Sequence, residues 1–276
     1  MLHLAILASI IVFAVLFSVL QKRLRRARNE KLFNTPLEPS FVTLLRVHVP
    51  LYTQLPQNLR DELHGHINIF LHRKNFIGKG GVEITNKIRL VVAGNACLLL
   101  LQGNDRQFKG FSSILIYPET YEAPNMQHDG FVVSGGTSRR AGESWMRGPI
   151  VLSWTDVLSG SVDDRDGHNV VIHEFAHKLD EQSGHMNGQP LLNHDSHYEE
   201  WAKVLSEEYE ALHKRAKRGK NRVLDAYGTV SPAEFFAVAT ESFFEKPVQM
   251  KKRLPELYEQ LQTYYRVDPV SWRHDA

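Results

Sequence analysis

Cysteine is nearly absent from this sequence of 276 residues, which contains only Cys97. A single cysteine cannot form a disulfide within the chain, and it excludes a zinc site built from several thiolates. Because Cys97 lies in the apolar run 96–101, we expect a buried structural thiol rather than a nucleophile. The lack of a disulfide framework also favours a reducing compartment.

The sequence also lacks a large excess of charge of either sign. It has 33 basic and 31 acidic side chains, for a net charge of +2. Residues 1–30 hold five basic side chains and one acidic one, which leaves 28 basic and 30 acidic side chains for the remainder. Such a body is not basic enough to predict nucleic-acid binding. The glycine-rich stretch 78–81 likewise lacks the Gly-Lys-Ser/Thr ending of a phosphate-binding loop.

Charge is missing altogether from residues 2–20, which are apolar apart from one histidine and two serines. At 1.5 Å per residue a helix of this length spans about 28 Å, close to the hydrocarbon core of a bilayer. Positive charge comes after the run, at 22–28, instead of preceding it as in a signal peptide. The sequence therefore predicts an N-terminal membrane anchor with its basic flank over residues 1–30, its C-terminal side in the cytoplasm, and one domain over 31–276.

Hydrophobic residues make up 42% of the chain, enough for one large core. Their spacing predicts helices over 55–76, 170–180, 196–212, 232–244 and 248–265, and strands over 111–117 and 148–154. The fold class is therefore α+β, mainly helical with a small mixed sheet. The strand 148–154 is interpreted in two ways that the sequence does not decide between. It is either an edge strand that pairs with an extended peptide or an interior strand.

The residues His173, Glu174 and His177 form a His-Glu-x-x-His motif inside an apolar run without glycine or proline. On a helix the two histidines lie one turn apart on the same face, where they can hold one Zn²⁺. Glu174 can then take a proton from the attacking water and pass it to the leaving amine. The alternative explanation is that the motif arose by chance, since the chain contains 14 histidines. Two buried histidines and a buried carboxylate are costly without a partner, however, so we predict one zinc ion per chain.

A catalytic zinc site needs a third protein ligand, and several positions compete for that role. The longer metzincin motif is excluded, because it has a glycine three residues after the second histidine and this sequence has Asp180 there. A spacing of some twenty residues after the motif points to Glu199 or Glu200. Glu234 is the other candidate, in the first turn of an apolar helix that begins with Ser-Pro at 231–232. A carboxylate buried in such a helix needs a cation nearby, which favours Glu234.

Several long motifs together resemble the Mlc titration factor A family of zinc peptidases. They are GPIVLSW at 148–154, HEFAHKLD at 173–180 and DAYGTVSPAEFFAVATESFF at 225–244. The part over 227–237 is also similar to the catalytic domain of anthrax lethal factor. The resemblance covers residues 40–270 and implies a zincin fold of the gluzincin type.

The resemblance implies a role for each site residue. Glu234 would be the third zinc ligand, Glu174 the general base, and Tyr227 a hydrogen-bond donor to the developing oxyanion. Asp180 and Glu241 are candidate acceptors for the outer nitrogens of the ligand histidines, and structural salt bridges are the alternative for both.

The family further implies aminopeptidase-like activity on a peptide or protein substrate and, in its enteric member, binding to the glucose repressor Mlc. The apolar N-terminus departs from the family pattern, and with it we expect a single-pass protein of the bacterial inner membrane. A second function is a binding protein that sequesters a transcriptional repressor, with the zinc site as scaffold. The complete set of ligands and base favours the enzyme, because a scaffold does not need Glu174.

Overall fold

The computed structural model describes residues 2–103, 107–119, 121–124, 137–140, 142–144, 148–192, 194–219 and 223–273. Helices dominate this part of the chain. They are Leu2–Phe33 (α1), Pro39–His48 (α2), Pro50–Gln54 (α3), Gln57–Arg73 (α4), Asn86–Leu98 (α5), Trp154–Gly160 (α6), Val170–Asp180 (α7), Tyr198–Ala216 (α8), Pro232–Glu245 (α9), Pro247–Arg253 (α10) and Pro255–Tyr265 (α11).

A small mixed sheet accompanies the helices. Its strands are Asn75–Gly78 (β1), Ser113–Tyr117 (β2), Gly142–Ser144 (β5) and Ile150–Ser153 (β6), and the order is β1-β2-β6-β5. Strands β1, β2 and β6 run parallel, with Leu115 opposite Val151, whereas β5 is antiparallel to β6. Strands Tyr121–Pro124 (β3) and Thr137–Arg140 (β4) form a separate antiparallel pair.

Strand β6 corresponds to the predicted strand 148–154, and it lies inside the sheet. All four of its residues are buried, and its backbone pairs with β2 on one side and with β5 on the other. Among the described strands, β5 forms the end of the sheet that is next to α7. Of the two interpretations left open by the sequence, the structure therefore supports the interior strand.

Helix α7 packs on α9 at the centre of the molecule. Its apolar face carries Phe175, which is fully buried. The rings of Phe108, Phe70 and Phe111 surround Phe175, with centroids 4.7, 5.5 and 6.0 Å away. Burial of these rings fixes α7 against the end of α4 and the segment 107–112 that precedes β2, and so fixes the side of α7 that bears the histidines.

The predicted helix 248–265 is two helices, α10 and α11. Pro255 opens α11, and Leu254 before it has φ −137° and ψ 56°, outside the helical region. Proline has no amide hydrogen to continue a helix and restricts the residue that precedes it. Both helices face the same core, so the apolar spacing continues across this break. The pattern alone therefore predicts one helix.

The predicted N-terminal transmembrane helix is contradicted. In the part of the chain that the structure describes, no helix is both long enough and apolar enough to cross a membrane. Helix α1 begins at Leu2 with the uncharged residues 2–20. Helix α1 then continues through the basic residues 22–28 to Phe33.

The end of α1 is attached to α4. Asn29 accepts a hydrogen bond of 3.0 Å from Arg73, and the Phe33 ring meets the His66 ring at a centroid distance of 5.2 Å. The predicted localisation, a single pass through an inner membrane, depended on the transmembrane helix and is wrong with it.

We expect Phe175→Ala to lower the free energy of unfolding by about 3–5 kcal/mol, because it leaves a cavity among three aromatic rings. Urea unfolding followed by circular dichroism measures the change. The control is Val162→Ala at a side chain that is 77% exposed, where we expect a change within about 0.5 kcal/mol. Equal effects of the two substitutions would contradict the central position given to α7.

Candidate metal centre

Helix α7 places His173 and His177 side by side. Asn169 is its N-cap residue, and its side-chain oxygen accepts a hydrogen bond of 3.1 Å from the amide of Ile172. The two imidazole rings lie one turn apart with centroids separated by 4.8 Å. Their Nε2 atoms face each other at 3.2 Å, so both nitrogens point to the same volume.

Helix α9 brings Glu234 to the same point. Ser231 caps α9 by accepting a hydrogen bond of 3.2 Å from the amide of Glu234, and Pro232 occupies the first helical position. The Oε2 atom of Glu234 lies 2.9 Å from Nε2 of His173 and 3.3 Å from Nε2 of His177. The carboxylate therefore completes a cluster with the two imidazoles.

These three residues could hold a metal ion. Their potential ligand atoms all lie within 4.8 Å of one another. Two ligands bound to zinc at about 2.0–2.1 Å in tetrahedral geometry are about 3.3 Å apart, and the observed separations of 2.9–3.3 Å are close to that value. Two nitrogens and one carboxylate oxygen are also the donor set of catalytic zinc sites that keep one position open.

Glu241 determines which nitrogen of His173 faces the cluster. Its Oε2 lies 2.9 Å from Nδ1 of His173, and a carboxylate in this position accepts the Nδ1 proton. Neutral His173 then presents a lone pair at Nε2, opposite the carboxylate of Glu234. Acceptor atoms this close repel one another unless a cation lies between them, so the arrangement fits a metal ion.

The cluster has a strong preference for positive charge. Burial alone would lower the pKa of His173, but the charge of Glu241 and the hydrogen bonds to both glutamates outweigh burial and raise it well above its ordinary value. Burial would likewise raise the pKa of Glu234, yet hydrogen bonds from both histidines hold it well below its usual range. Both shifts show that a positive charge is favourable at this position.

The structure places the two predicted catalytic residues next to the cluster. Glu174 is buried on α7, only 4% exposed, and its charge contributes to the raised pKa of His173. Tyr227 lies in a 3-10 turn, Ala226–Thr229, that precedes α9. The Tyr227 ring is 6.0 Å from the His173 ring between centroids and is 53% exposed. Glu174 is thus shielded, whereas Tyr227 is accessible to a molecule entering from solvent.

The two predicted outer acceptors differ. Glu241 contacts His173 through the bond to Nδ1. Asp180 instead stabilises the loop after α7, because its Oδ2 accepts a hydrogen bond of 2.7 Å from the amide of Gly188. Burial raises the pKa of Asp180 to about 6. Among the described residues neither Oδ1 of Asp180 nor Nδ1 of His177 has a hydrogen-bond partner.

The other candidates for the third ligand lie elsewhere. Glu199 and Glu200 are exposed in the first turn of α8. Neither of them belongs to the group of His173, His177 and Glu234 that could hold a metal in the described part of the chain.

A buried polar network behind the cluster was not predicted from the sequence. Asn169 contacts Glu241, Glu245 and Asn95 with hydrogen bonds of 2.8–3.1 Å. Burial raises the pKa of Glu245 from an ordinary 4.5 to about 9, so that this side chain is protonated at neutral pH. The one signal in the sequence was an asparagine directly before an apolar helix, which is typical of an N-cap.

This set of side chains is typical of metal-dependent peptidases. It consists of two histidines from one helical turn, a glutamate from a second helix and a buried glutamate beside the first histidine. Residues 21–266 match the family described as Glucose-regulated metallo-peptidase M90. The chain belongs to this family, which includes Mlc titration factor A, and it is accordingly a metallopeptidase.

Individual relatives agree with this assignment. The chain is 38% identical to an uncharacterised protein of Synechocystis sp. over 245 residues, which cover 88% of this chain and 89% of that protein. It is 32% identical to Mlc titration factor A of Yersinia pestis over 235 residues, 82% of this chain and 84% of that protein. The Yersinia pseudotuberculosis protein of the same name matches to the same extent.

We expect Glu245→Gln to reduce the loss of stability with rising pH. Glu245 keeps its proton in the folded state up to about pH 9, whereas the unfolded chain releases it near pH 4.5. Folding therefore binds a proton in this window, and stability falls as pH rises, by at most about 1.4 kcal/mol per pH unit. Glutamine does not titrate, so the variant gains stability relative to the parent between pH 5 and 8. Urea unfolding in the presence of a chelator measures this, and parallel pH dependences would contradict it.

Proposed function

We propose that this metallopeptidase is a zinc-dependent enzyme of the gluzincin type with one Zn²⁺ per chain. The observation that carries the proposal is the convergence of Nε2 of His173, Nε2 of His177 and Oε2 of Glu234 within 4.8 Å, with His173 held from behind by Glu241. In this proposal the first three residues are the zinc ligands. Glu241 fixes the imidazole of His173 and increases its basicity.

Glu174 is proposed as the general base. Zinc bound by the cluster would polarise the attacking water and the scissile carbonyl. Glu174 removes a proton from that water and later delivers it to the nitrogen of the leaving amine. Its burial supports this role, because a shielded carboxylate interacts more strongly with a nearby proton donor than a solvated one does.

Tyr227 is proposed as the donor to the carbonyl oxygen that gains negative charge during attack. The phenolic hydroxyl can donate one hydrogen bond, and such a bond strengthens as charge develops. The exposed ring beside His173 suits a group that must reach a bound substrate. Among the described strands, β5 lies at the end of the sheet next to α7, and an extended peptide would pair with its outer edge.

The aminopeptidase-like preference is proposed from the family resemblance. Hydrolysis of one peptide series with free and with acetylated amino termini distinguishes the two modes of cleavage. An exopeptidase of this kind requires the free terminus, whereas an endopeptidase cleaves both sets.

A second candidate function is supported by the relatives. The Yersinia proteins carry the name Mlc titration factor A, so we also propose binding to a transcriptional repressor. In that case the metal site would serve as scaffold, and loss of hydrolysis would leave the binding intact. Pull-down of such a repressor by the parent protein and by Glu174→Gln separates the two functions.

We expect Glu174→Gln to retain one zinc per chain and to lower kcat by at least about 100-fold, because the general base is lost while all ligands remain. Glu234→Ala should lose zinc, whereas Glu200→Ala, at an exposed glutamate, should change neither quantity. Metal analysis after dialysis and hydrolysis of a peptide substrate measure both effects. Full zinc content in Glu234→Ala would contradict the proposed ligand set.

We expect Tyr227→Phe to lower kcat by about 100-fold or more with little change in KM, because one donor to the developing charge is removed. Zinc content should stay at the parent value, since Tyr227 is not a proposed ligand. Steady-state kinetics on the same peptide measure the change. A kcat equal to that of the parent would exclude Tyr227 from the reaction.

A further inference from the structure

Asn169 connects the two helices that carry the proposed ligands. Its side-chain Oδ1 accepts from the amide of Ile172 and so begins α7. Its own backbone amide donates a hydrogen bond of 2.8 Å to Oε1 of Glu241 on α9. One residue therefore fixes the start of the helix that bears His173 and the carboxylate that contacts the His173 ring.

The other side-chain atom of Asn169 is fixed as well. Its Nδ2 donates to Oε1 of Glu245 at 3.0 Å, to Oδ1 of Asn95 at 3.1 Å and to the carbonyl of Gly160 at 3.3 Å. Asn169, Asn95 and Glu245 are 1–2% exposed, so water cannot replace these partners. Glu245 lies one turn beyond Glu241 on α9, so Asn169 contacts that helix at two successive turns.

The two oxygens of Glu241 have separate partners. Oε1 accepts from the Asn169 amide, and Oε2 lies at 2.9 Å from Nδ1 of His173. A carboxylate with one oxygen fixed cannot rotate without breaking that bond, so its second oxygen stays in the plane in which the imidazole donates. The orientation of the ring, and of its Nε2 atom, then depends on Asn169.

We propose that Asn169 is a positioning residue of the metal centre, and that Asn95 and Glu245 hold it in the conformation that orients Glu241 towards His173. The inference rests on the proposed function, because it requires His173 to bind zinc. It adds a layer behind Glu241 that reaches His173 in two ways: through Glu241, and through the Asn169 carbonyl, which accepts a hydrogen bond of 2.9 Å from the His173 amide. Outer partners of this kind change metal affinity by about 10–100-fold when removed.

The competing explanation is that Asn169 acts only as the N-cap of α7. Asn169→Ser separates the two roles, because serine caps a helix about as well as asparagine but is too short to reach Glu245 and Asn95. A second pair of variants changes Glu245, the acceptor of the hydrogen bond from Nδ2 of Asn169. Glu245→Gln keeps an oxygen that can accept from Nδ2, whereas Glu245→Leu has a similar size and no acceptor.

A matched control removes the N-cap of a different helix, α5, ten residues before Asn95 in the chain. Thr85 is the N-cap of α5 and accepts from the amide of Ile88. Thr85→Ala therefore loses a cap of the same kind and leaves the side chains of Asn169, Asn95 and Glu245 unchanged. Two quantities are measured on each full-length protein: the zinc dissociation constant by competition with a chelator, and the Nδ1 proton signal of His173 in the NMR spectrum of zinc-loaded protein labelled with ¹⁵N-histidine.

We expect Asn169→Ser and Glu245→Leu to bind zinc about 10-fold or more weakly than the parent. Their His173 Nδ1 proton should exchange faster with water, because the acceptor is no longer held. Glu245→Gln should stay within about 3-fold of the parent and keep the signal. Thr85→Ala should keep both the affinity and the signal, even where its unfolding midpoint falls.

The possible results separate this inference from the proposed function. If the parent itself binds no zinc, the proposed function fails and the inference fails with it. If the parent binds zinc and Asn169→Ser binds it equally well with an unchanged His173 signal, only the inference fails. A loss of affinity in Thr85→Ala as large as that in Asn169→Ser would likewise overturn it. Should Asn169→Ser not fold, the comparison of Glu245→Gln with Glu245→Leu decides.

Discussion

The arrangement of the site depends on one constraint: three acceptor atoms that would repel one another lie close together. Nε2 of His173, Nε2 of His177 and Oε2 of Glu234 lie 2.9–3.3 Å apart, and each presents electron density to the others when the histidines are neutral. Such a cluster is stable only with a proton or a metal cation between its members. In a metallopeptidase this arrangement has a use, because a cation held by the three proposed ligand atoms would keep a position open for the reacting groups.

The rest of the fold holds this cluster together from two directions. Aromatic packing around Phe175 fixes α7 on its apolar face, and the cap formed by Ser231 fixes the start of α9 at Glu234. Between the two helices, Asn169, Glu241 and Glu245 form hydrogen bonds in a region that solvent does not reach. Apolar packing thus determines where the helices lie, and buried hydrogen bonds orient the side chains proposed as ligands.

The sequence was most informative where local rules apply. The spacing of His173 and His177 required only a helix without glycine or proline, and the Ser-Pro start of α9 indicated that Glu234 lies in a first turn. Residues 2–20 were misinterpreted, because an uncharged stretch followed by basic residues is typical of a membrane anchor, whereas no helix in the described part of the chain is both long and apolar enough to cross a membrane. The break at Pro255 was missed because two helices facing one core continue the same apolar spacing. The interior position of β6 depends on β2 and β5, which pair with it from other parts of the chain.

The sequence by itself determined the chemistry available: two imidazoles on one helical face, a glutamate between them, and a short set of carboxylates that could complete the site. Those properties depend on residue type and on the pitch of a helix, which are local. Only the tertiary structure decided that Glu234 and not Glu199 or Glu200 meets the imidazoles, and that Glu241 lies at hydrogen-bond distance from Nδ1 of His173 while Oδ2 of Asp180 accepts from Gly188. The reason is physical: each of these choices depends on how α7 and α9 pack, and contacts between residues nearly sixty positions apart are set by the core they share.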